Sequence, residues 1–368
     1  MTSVPFNAIA VQDAGLREEI LAAMRRVVER GRFVLGEEVS AFEAELAANL
    51  GAAHAVGVGT GTDAIRLALQ AAGVVAGDDV LTVSHTATFT ALAISMLGAR
   101  PVFADIEPGG MMLDPARIES AITPRTRALV PVHLYGQAAD LVPMVEIARR
   151  RGLALIEDCA QAHGAQFLGR AAGTFGTAAA LSFYPTKNLG AYGDGGAVVT
   201  SDPALAERVR QLRNGGQADR YRHVELGVNS RLDELQAAIL RVKLRQLERA
   251  VAARRTLAAR YDAALTGVAP ARELPGRRHA YHLYVVRHAR RDALREHLTA
   301  AGVGSQVHYP IPVHRQPAYA HLGLGPGSLP ETERAAAEVL SLPLYPGLTA
   351  EQQQAVIDAV NAFSGVHA

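Results

Sequence analysis

Lys187 sits in the stretch LSFYPTKNLGAYGDGGAVVT, residues 181–200, between a strand-like run and a crowd of glycines. Most lysines belong in water, so one placed where the backbone folds tightly invites a chemical reading. An amine attacks a carbonyl only when deprotonated, and a site that depresses its pKa would make Lys187 an imine-forming nucleophile. Ser182 precedes it, with Pro185 between. A second candidate is Asp158, which directly follows the apolar run of LALIEDCAQAHGA, residues 153–165. A carboxylate there can pair with a ring nitrogen or bind a metal. The metal reading is the weaker, because His163 follows at no recognised ligand spacing. Cys159 reads as a buried structural thiol, since no His–Cys pairing is indicated.

A third loop is GVGTGTDAI, residues 57–65. Gly57 and Gly59 match the first two glycines of a dinucleotide fingerprint, but Thr62 stands where the third must let a helix pack close. Thr60, Gly61 and Thr62 open a helix whose free N–H groups and dipole suit a phosphate. A plain threonine N-cap is the alternative. A lysine for an aldehyde, an acid for a pyridinium nitrogen and donors for a phosphate together meet the requirements of pyridoxal 5'-phosphate. The aspartate would keep the ring nitrogen protonated, which makes the ring an electron sink.

Elements at the right places must carry these loops. Strand patterns at 54–58, 79–84, 101–104, 128–133, 153–157, 179–184 and 196–200 alternate with helical patterns at 62–72, 87–97, 114–121, 140–151 and 203–213. Such alternation predicts βαβ units and a mostly parallel sheet with helices on both faces. All three loops then fall at carboxyl ends of strands, the edge where open α/β sheets bind ligands. An amphipathic helix over 37–50, with Val39, Phe42, Leu46 and Leu50 on one face, precedes the alternation. Residues 231–266 predict one long helix, with Leu232, Leu235, Ile239 and Leu247 marking its apolar face. Beyond it come a strand in AYHLYVVR, a helix near 291–301, a loop VHYPIPVHRQPAY and a last helix over 350–363. This reads as a large α/β domain, residues 1–240, and a smaller α+β domain, residues 241–368.

Bulk properties narrow the partners. The 368 residues carry a formal net charge of +1 and are 49% hydrophobic, which points to neither a nucleic-acid nor a membrane surface. The Arg149–Arg151 cluster reads as a solvated helix end. With one cysteine no disulfide can form within the chain, and a cytoplasmic location fits. The start, MTSVPFNAIA, shows no signal peptide, and no apolar run is long enough to span a membrane.

Seven motifs occur in order: GTGTDAI, PVFADIEP, HLYGQAADL, IEDCAQAHGA, SFYPTKNLG, GVNSRLDELQAAIL and VHYPIPVH. As an ordered set they resemble the pyridoxal-phosphate nucleotide-sugar aminotransferases of the DegT/StrS group, over most of the chain. The resemblance implies the aspartate-aminotransferase fold (fold type I) and a homodimer with sites shared across its interface. It implies that Lys187 carries the cofactor, Asp158 pairs with the pyridine nitrogen, Gln161 bonds the ring hydroxyl and Ala160 packs on one ring face. Gly61, Thr62 and Ser182 would hold the phosphate, joined by Asn229 from the partner subunit. Asn229 also reads as an N-cap before SRLDEL. Where many members place an aromatic on the other ring face, this chain has Ala87, so His85 or Phe89 would substitute. Tyr184, Tyr221, His223, His308 and Tyr309 would line the sugar-nucleotide site. The implied reaction moves an amino group, from L-glutamate, to a keto carbon of a nucleotide-linked deoxysugar. The form SFYPTKNLGA looks more like members acting at C3 than at C4. A dehydratase of the group would replace the lysine by histidine. A cofactor-binding regulator and, from another class, a nicotinamide dehydrogenase are the rivals.

Overall fold

The computed structural model describes residues 3–365. Seven strands form the central sheet: β1 (His54–Val58), β2 (Asp79–Val83), β3 (Arg100–Ala104), β4 (Thr126–Leu129), β5 (Ala154–Asp158), β6 (Ala178–Ser182) and β7 (Gly196–Thr200). Their spatial order is β1-β7-β6-β5-β4-β2-β3. The pairs from β6 through β3 are parallel, and β7 runs antiparallel to both β6 and β1. Residues alternate between faces along each strand. In β7, Ala197 and Val199 join Phe42, Leu46 and Leu232 on one side. Val198 joins Leu67, Ala68 and Val209 on the other. Both faces are therefore covered, as a mostly parallel sheet requires. The α/β fold-type-I architecture expected from the sequence is the one observed.

A second, antiparallel sheet follows in the order β8 (Ala269–Pro270), β9 (Tyr284–Arg287), β10 (Val339–Leu342). The helices Arg291–Ala300 and Ala350–Gly365 cover it, burying Leu294, Leu298, Val356 and Val360. Val4 packs into this same core and pairs with Val303.

Two expectations need correction. The strand expected over 128–133 ends at Leu129. Pro131 has no N–H to give the ladder, so pairing continues only as an isolated bridge between Val132 and Asp158. The single helix expected over 231–266 is two, Glu234–Leu244 and Leu247–Ala264, with a bend at Gln246. One straight rod could not bury Ile239 against the N-terminal helix, Leu240 in the large-sheet core and Tyr261 in the small-sheet core. The loop 213–227 has structure of its own, a short hairpin pairing Gln217–Asp219 with Arg222–His223. The helix Arg17–Arg30, which packs Ile20, Ala23 and Val27 on Ala238, Ile239 and Val242, was not foreseen.

Candidate active site

The carboxyl ends of β2, β5 and β6 converge on one spot. Asp158 is the last residue of β5 and is buried. Its Oδ1 accepts the N–H of Ala160 at 3.0 Å, and its Oδ2 accepts the hydroxyl of Thr90 at 2.8 Å. Two donors thus fix the plane of the carboxylate while each oxygen keeps a lone pair. Burial raises its pKa, opposed by those two bonds and by the nearby Lys187 ammonium.

Lys187 stands in the turn after β6, where its own N–H bonds the Tyr184 carbonyl at 2.9 Å. Its side chain is partly accessible through the cleft. The protein packed around it lowers its pKa to about 8, with Asp158 opposing the shift. A depressed amine beside a carboxylate is the arrangement the sequence implied for imine chemistry.

The phosphate-side loop is held by close packing. A Cβ on Gly61 would meet Ser182 Cβ at 2.6 Å. On the other side, a Cβ on Gly196 would meet the Thr60 carbonyl oxygen at 2.4 Å. The Thr60–Gly61 peptide is therefore pressed between the start of β7 and the end of β6. Thr60 does cap its helix, accepting the Asp63 N–H at 3.0 Å. That leaves the N–H groups of Gly61 and Thr62 without a partner inside the helix, in the turn that packs on the Ser182 end of β6. The one turn therefore carries the Thr60 cap and N–H groups of the kind that suit an anion.

Tyr135, which the residue-level reading did not single out, ties the remaining groups together. Its N–H donates to Gln161 Oε1 at 2.7 Å, and its hydroxyl donates to the His308 carbonyl. With that proton spent, His85 Nε2 must donate to the Tyr135 oxygen, at 2.9 Å. His85 Nδ1 is thereby left as a bare acceptor, buried and without a partner among the described residues. Burial lowers the His85 pKa to about 4, so the ring stays neutral. Gln161 Nε2 donates to the Tyr309 hydroxyl at 3.1 Å, and His308 Nδ1 meets Ser341 Oγ at 2.9 Å. Thr90 and Tyr135 lie 68 and 26 residues from their partners Asp158 and Gln161. The HLYGQAADL motif was the one signal that could have found Tyr135.

Phe89, the rival to His85, points outward, with 61% of its surface exposed. Tyr184 lies on the surface beside the cleft. Asn229 is exposed and pairs with Asn214. It is not an N-cap, because Asp233 holds that position before Glu234. Its neighbour Ser230 accepts the Gly59 N–H and donates to Asp63 Oδ2, fixing this segment to the start of the phosphate-side helix. Tyr221 and His223 project on the hairpin, Tyr221 with 79% of its surface exposed. They are not brought to the Lys187 cleft of their own chain.

Cys159 is buried, which pushes its thiol pKa far up, as a structural thiol requires. Its sulfur lies with His133 and Glu157 in a group whose ligand atoms are within 4.8 Å of one another. Hydrogen bonds already fill that group. His133 accepts the Ala139 N–H and donates to Glu157, whose oxygens also accept from Gly173, Phe175 and Gly176.

The residues fit pyridoxal phosphate. A buried carboxylate with free lone pairs suits a protonated ring nitrogen, and Lys187 supplies an amine of lowered pKa. The close approach that only glycine permits at residue 61 leaves N–H donors open to a phosphate. Buried polar atoms without partners among the described residues, at His85 Nδ1, His282 Nδ1 and both ring nitrogens of His163, accompany them.

The DegT/DnrJ/EryC1/StrS aminotransferase family model matches residues 15–361. The erythromycin biosynthesis sensory transduction protein EryC1 of Saccharopolyspora erythraea is 53% identical, over 98% of this chain and 99% of its own. The dTDP-3-amino-3,4,6-trideoxy-alpha-D-glucose transaminase of Streptomyces venezuelae is 49% identical, over 98% and 96%. The crystal structure of S. venezuelae DesV in complex with a ketimine intermediate superposes with a TM-score of 0.97 at 49% identity, covering 99% of each chain. The chain belongs to the DegT/DnrJ/EryC1/StrS aminotransferase family and is a pyridoxal-phosphate-dependent transaminase.

Proposed function

We propose that this enzyme transfers an amino group from L-glutamate to C3 of a dTDP-linked 3-keto-6-deoxyhexose. The observation that carries the reading is the near-full-length likeness to a transaminase named for a 3-amino dTDP sugar, joined to a site whose lysine, aspartate and phosphate cradle are all in place.

Bound pyridoxal phosphate supplies an aldehyde for the amine and a protonated ring that withdraws electrons from the carbon losing a proton. The chain's own residues do the rest. Gly61, Thr62 and Ser182 would hold the phosphate, and Ala160 and His85 would pack against the ring. Asp158, its plane fixed by Thr90, holds the proton on the ring nitrogen. Gln161 orients the ring hydroxyl. Lys187 would hold the cofactor's aldehyde through Nζ. Its free Nζ would serve as the base that accepts the donor's proton and then as the acid that gives it back. With a pKa of about 8, Nζ is poised for both roles. The keto-sugar reverses the sequence, which gives ping-pong kinetics.

Tyr184, His308 and Tyr309 would contact the sugar nucleotide. The enzyme acts as a homodimer in the cytoplasm, and the exposed Asn229 reaches the partner's cofactor phosphate. Tyr221 and His223 on the hairpin reach the partner's sugar nucleotide. Residues 1–240 form the cofactor-binding domain and residues 241–368 the smaller one.

The test is incubation of the holoenzyme with L-glutamate and a panel of 3-keto and 4-keto nucleotide sugars, with products read by mass spectrometry. Amination of dTDP-3-keto-6-deoxyhexoses is expected. Turnover of 4-keto sugars alone would overturn the C3 assignment. The regulatory name of the S. erythraea relative is tested by the same panel, since a site built for binding alone would yield no product.

A further inference from the structure

His314 belongs to no part of the mechanism above, yet it is buried in a closed polar chain. Ser84, directly after β2, and His314, in the loop that follows Tyr309, are both inaccessible to solvent. Ser84 Oγ accepts the backbone N–H of His314 at 2.9 Å, and because the neutral ring's Nε2 faces a carboxylate that can only accept, Ser84 donates its own proton to His314 Nδ1, at 2.7 Å. This leaves the ring proton on Nε2, which donates to Glu333 Oε1 at 3.2 Å. Glu333 is itself fixed, because both its oxygens accept the Gly327 N–H at 2.9 Å. The Val313 N–H adds a bond to the Ser84 carbonyl at 3.0 Å.

Serine, histidine and glutamate in such a row are the residue types of a hydrolytic triad. Here the serine is sealed off, and its oxygen is engaged twice by the histidine it would have to attack beside. The row does something else. Its serine end is the residue next to His85, on the cofactor side. Its histidine sits five residues beyond Tyr309, on the acceptor side. Pro310 and Pro312 between them stiffen the link.

We propose that His314 is a positioning residue, which clamps the 308–314 loop to the end of β2 so that His308 and Tyr309 meet the acceptor sugar at a fixed distance from His85. The Ser84 bond, rather than the Glu333 bond, is the working link of the His314 side chain, since of the two it is the one made to the end of β2, where the backbone N–H groups of Val313 and His314 also bond Ser84. This rests on the sugar-nucleotide reading for its substrate, and on the hydrogen-bond row for its geometry.

Two substitutions divide the row. His314→Asn places an amide oxygen where Nδ1 was and keeps the Ser84 bond. His314→Gln reaches Glu333 and loses the side-chain bond to Ser84, leaving only the two backbone bonds. Hydrogen exchange of the holoenzymes should show faster exchange in 308–314 for His314→Gln only, with the cofactor absorbance unchanged in both. In steady state, His314→Gln should raise KM for the keto-sugar nucleotide about tenfold with kcat within about twofold. KM for L-glutamate should not move, and His314→Asn should stay near wild type. Equal exchange in both variants overturns the clamp, whatever the substrate proves to be. So does a loss confined to kcat, which is how a merely structural residue would behave. A wild-type enzyme that turns over no sugar nucleotide would refute the substrate reading alone and leave the exchange result to judge the clamp.

Discussion

Gly61→Ala is the substitution the geometry judges most severely. The added methyl would lie 2.6 Å from Ser182 Cβ and 3.1 Å from Ser182 Cα, about an ångström inside ordinary van der Waals contact. Relief by moving the Thr60–Gly61 peptide the other way is blocked, because Gly196 already leaves no room beside the Thr60 carbonyl. The end of β6 must then shift, and with it Ser182, at a cost of about 1–3 kcal/mol for overpacking. If that strain falls on the cradle, the cofactor dissociation constant should rise between roughly fivefold and 150-fold, at 1.4 kcal/mol per tenfold. The assay is spectrophotometric titration of apoenzyme with pyridoxal phosphate. Gly109→Ala is the control, because a Cβ there meets nothing within 4 Å, and its affinity should match wild type. Wild-type affinity and wild-type melting temperature in Gly61→Ala would refute the argument that the cradle depends on this close approach.

Four further outcomes are expected. Lys187 of the apoenzyme, with a pKa near 8, should be trapped by aldehyde at a rate that climbs with pH and is half-maximal near pH 8. Because the unfolded chain keeps that proton up to about 10.5, this group should also make the apoenzyme more stable as pH rises from about 8, and a flat trapping rate from pH 7 to 9 contradicts the shift. Asp158→Asn should retain cofactor but turn over at least ~100-fold slower, about 2.7 kcal/mol, so wild-type turnover would remove its electron-sink role. Thr90→Val should slow turnover by roughly ten- to 150-fold by freeing one carboxylate oxygen, from about 1.5–3 kcal/mol for a bond to a charged group; a change below twofold in kcat would mean that Ala160 alone sets the carboxylate. In mixed Lys187→Ala and Asn229→Ala subunits each heterodimer should regain about half of wild-type activity if sites are shared, about a quarter for an equal mixture after exchange, whereas recovery no greater than the asparagine variant's own would mean that each site is built from one chain.

Much of this was legible in the sequence because the sheet is built from short, apolar, buried strands at regular intervals. Asp158 and Ser182 end such strands, and Lys187 and Gly61 lie in loops beside them, so strand ends alone nearly place them. Residues whose role is a bond to a distant segment left no local trace. Thr90 looks like any helix residue until β5 is laid beside it, and His314 meets a serine 230 positions away. The helix break at Gln246 was hidden for a related reason: the apolar spacing runs on unbroken through Leu244 and Leu247, while the cores it serves lie in different places. His85 was separable from Phe89 only in three dimensions, where one is buried and the other faces outward.

The most direct test of the account is borohydride reduction of the holoenzyme, followed by proteolysis and mass spectrometry. Reduction fixes the linkage between cofactor and lysine, and the chain offers one other lysine, Lys243, held by Asp13 at 3.0 Å. The account predicts cofactor mass on the peptide containing Lys187 and none on that containing Lys243. Label on Lys243, or on neither, would contradict it.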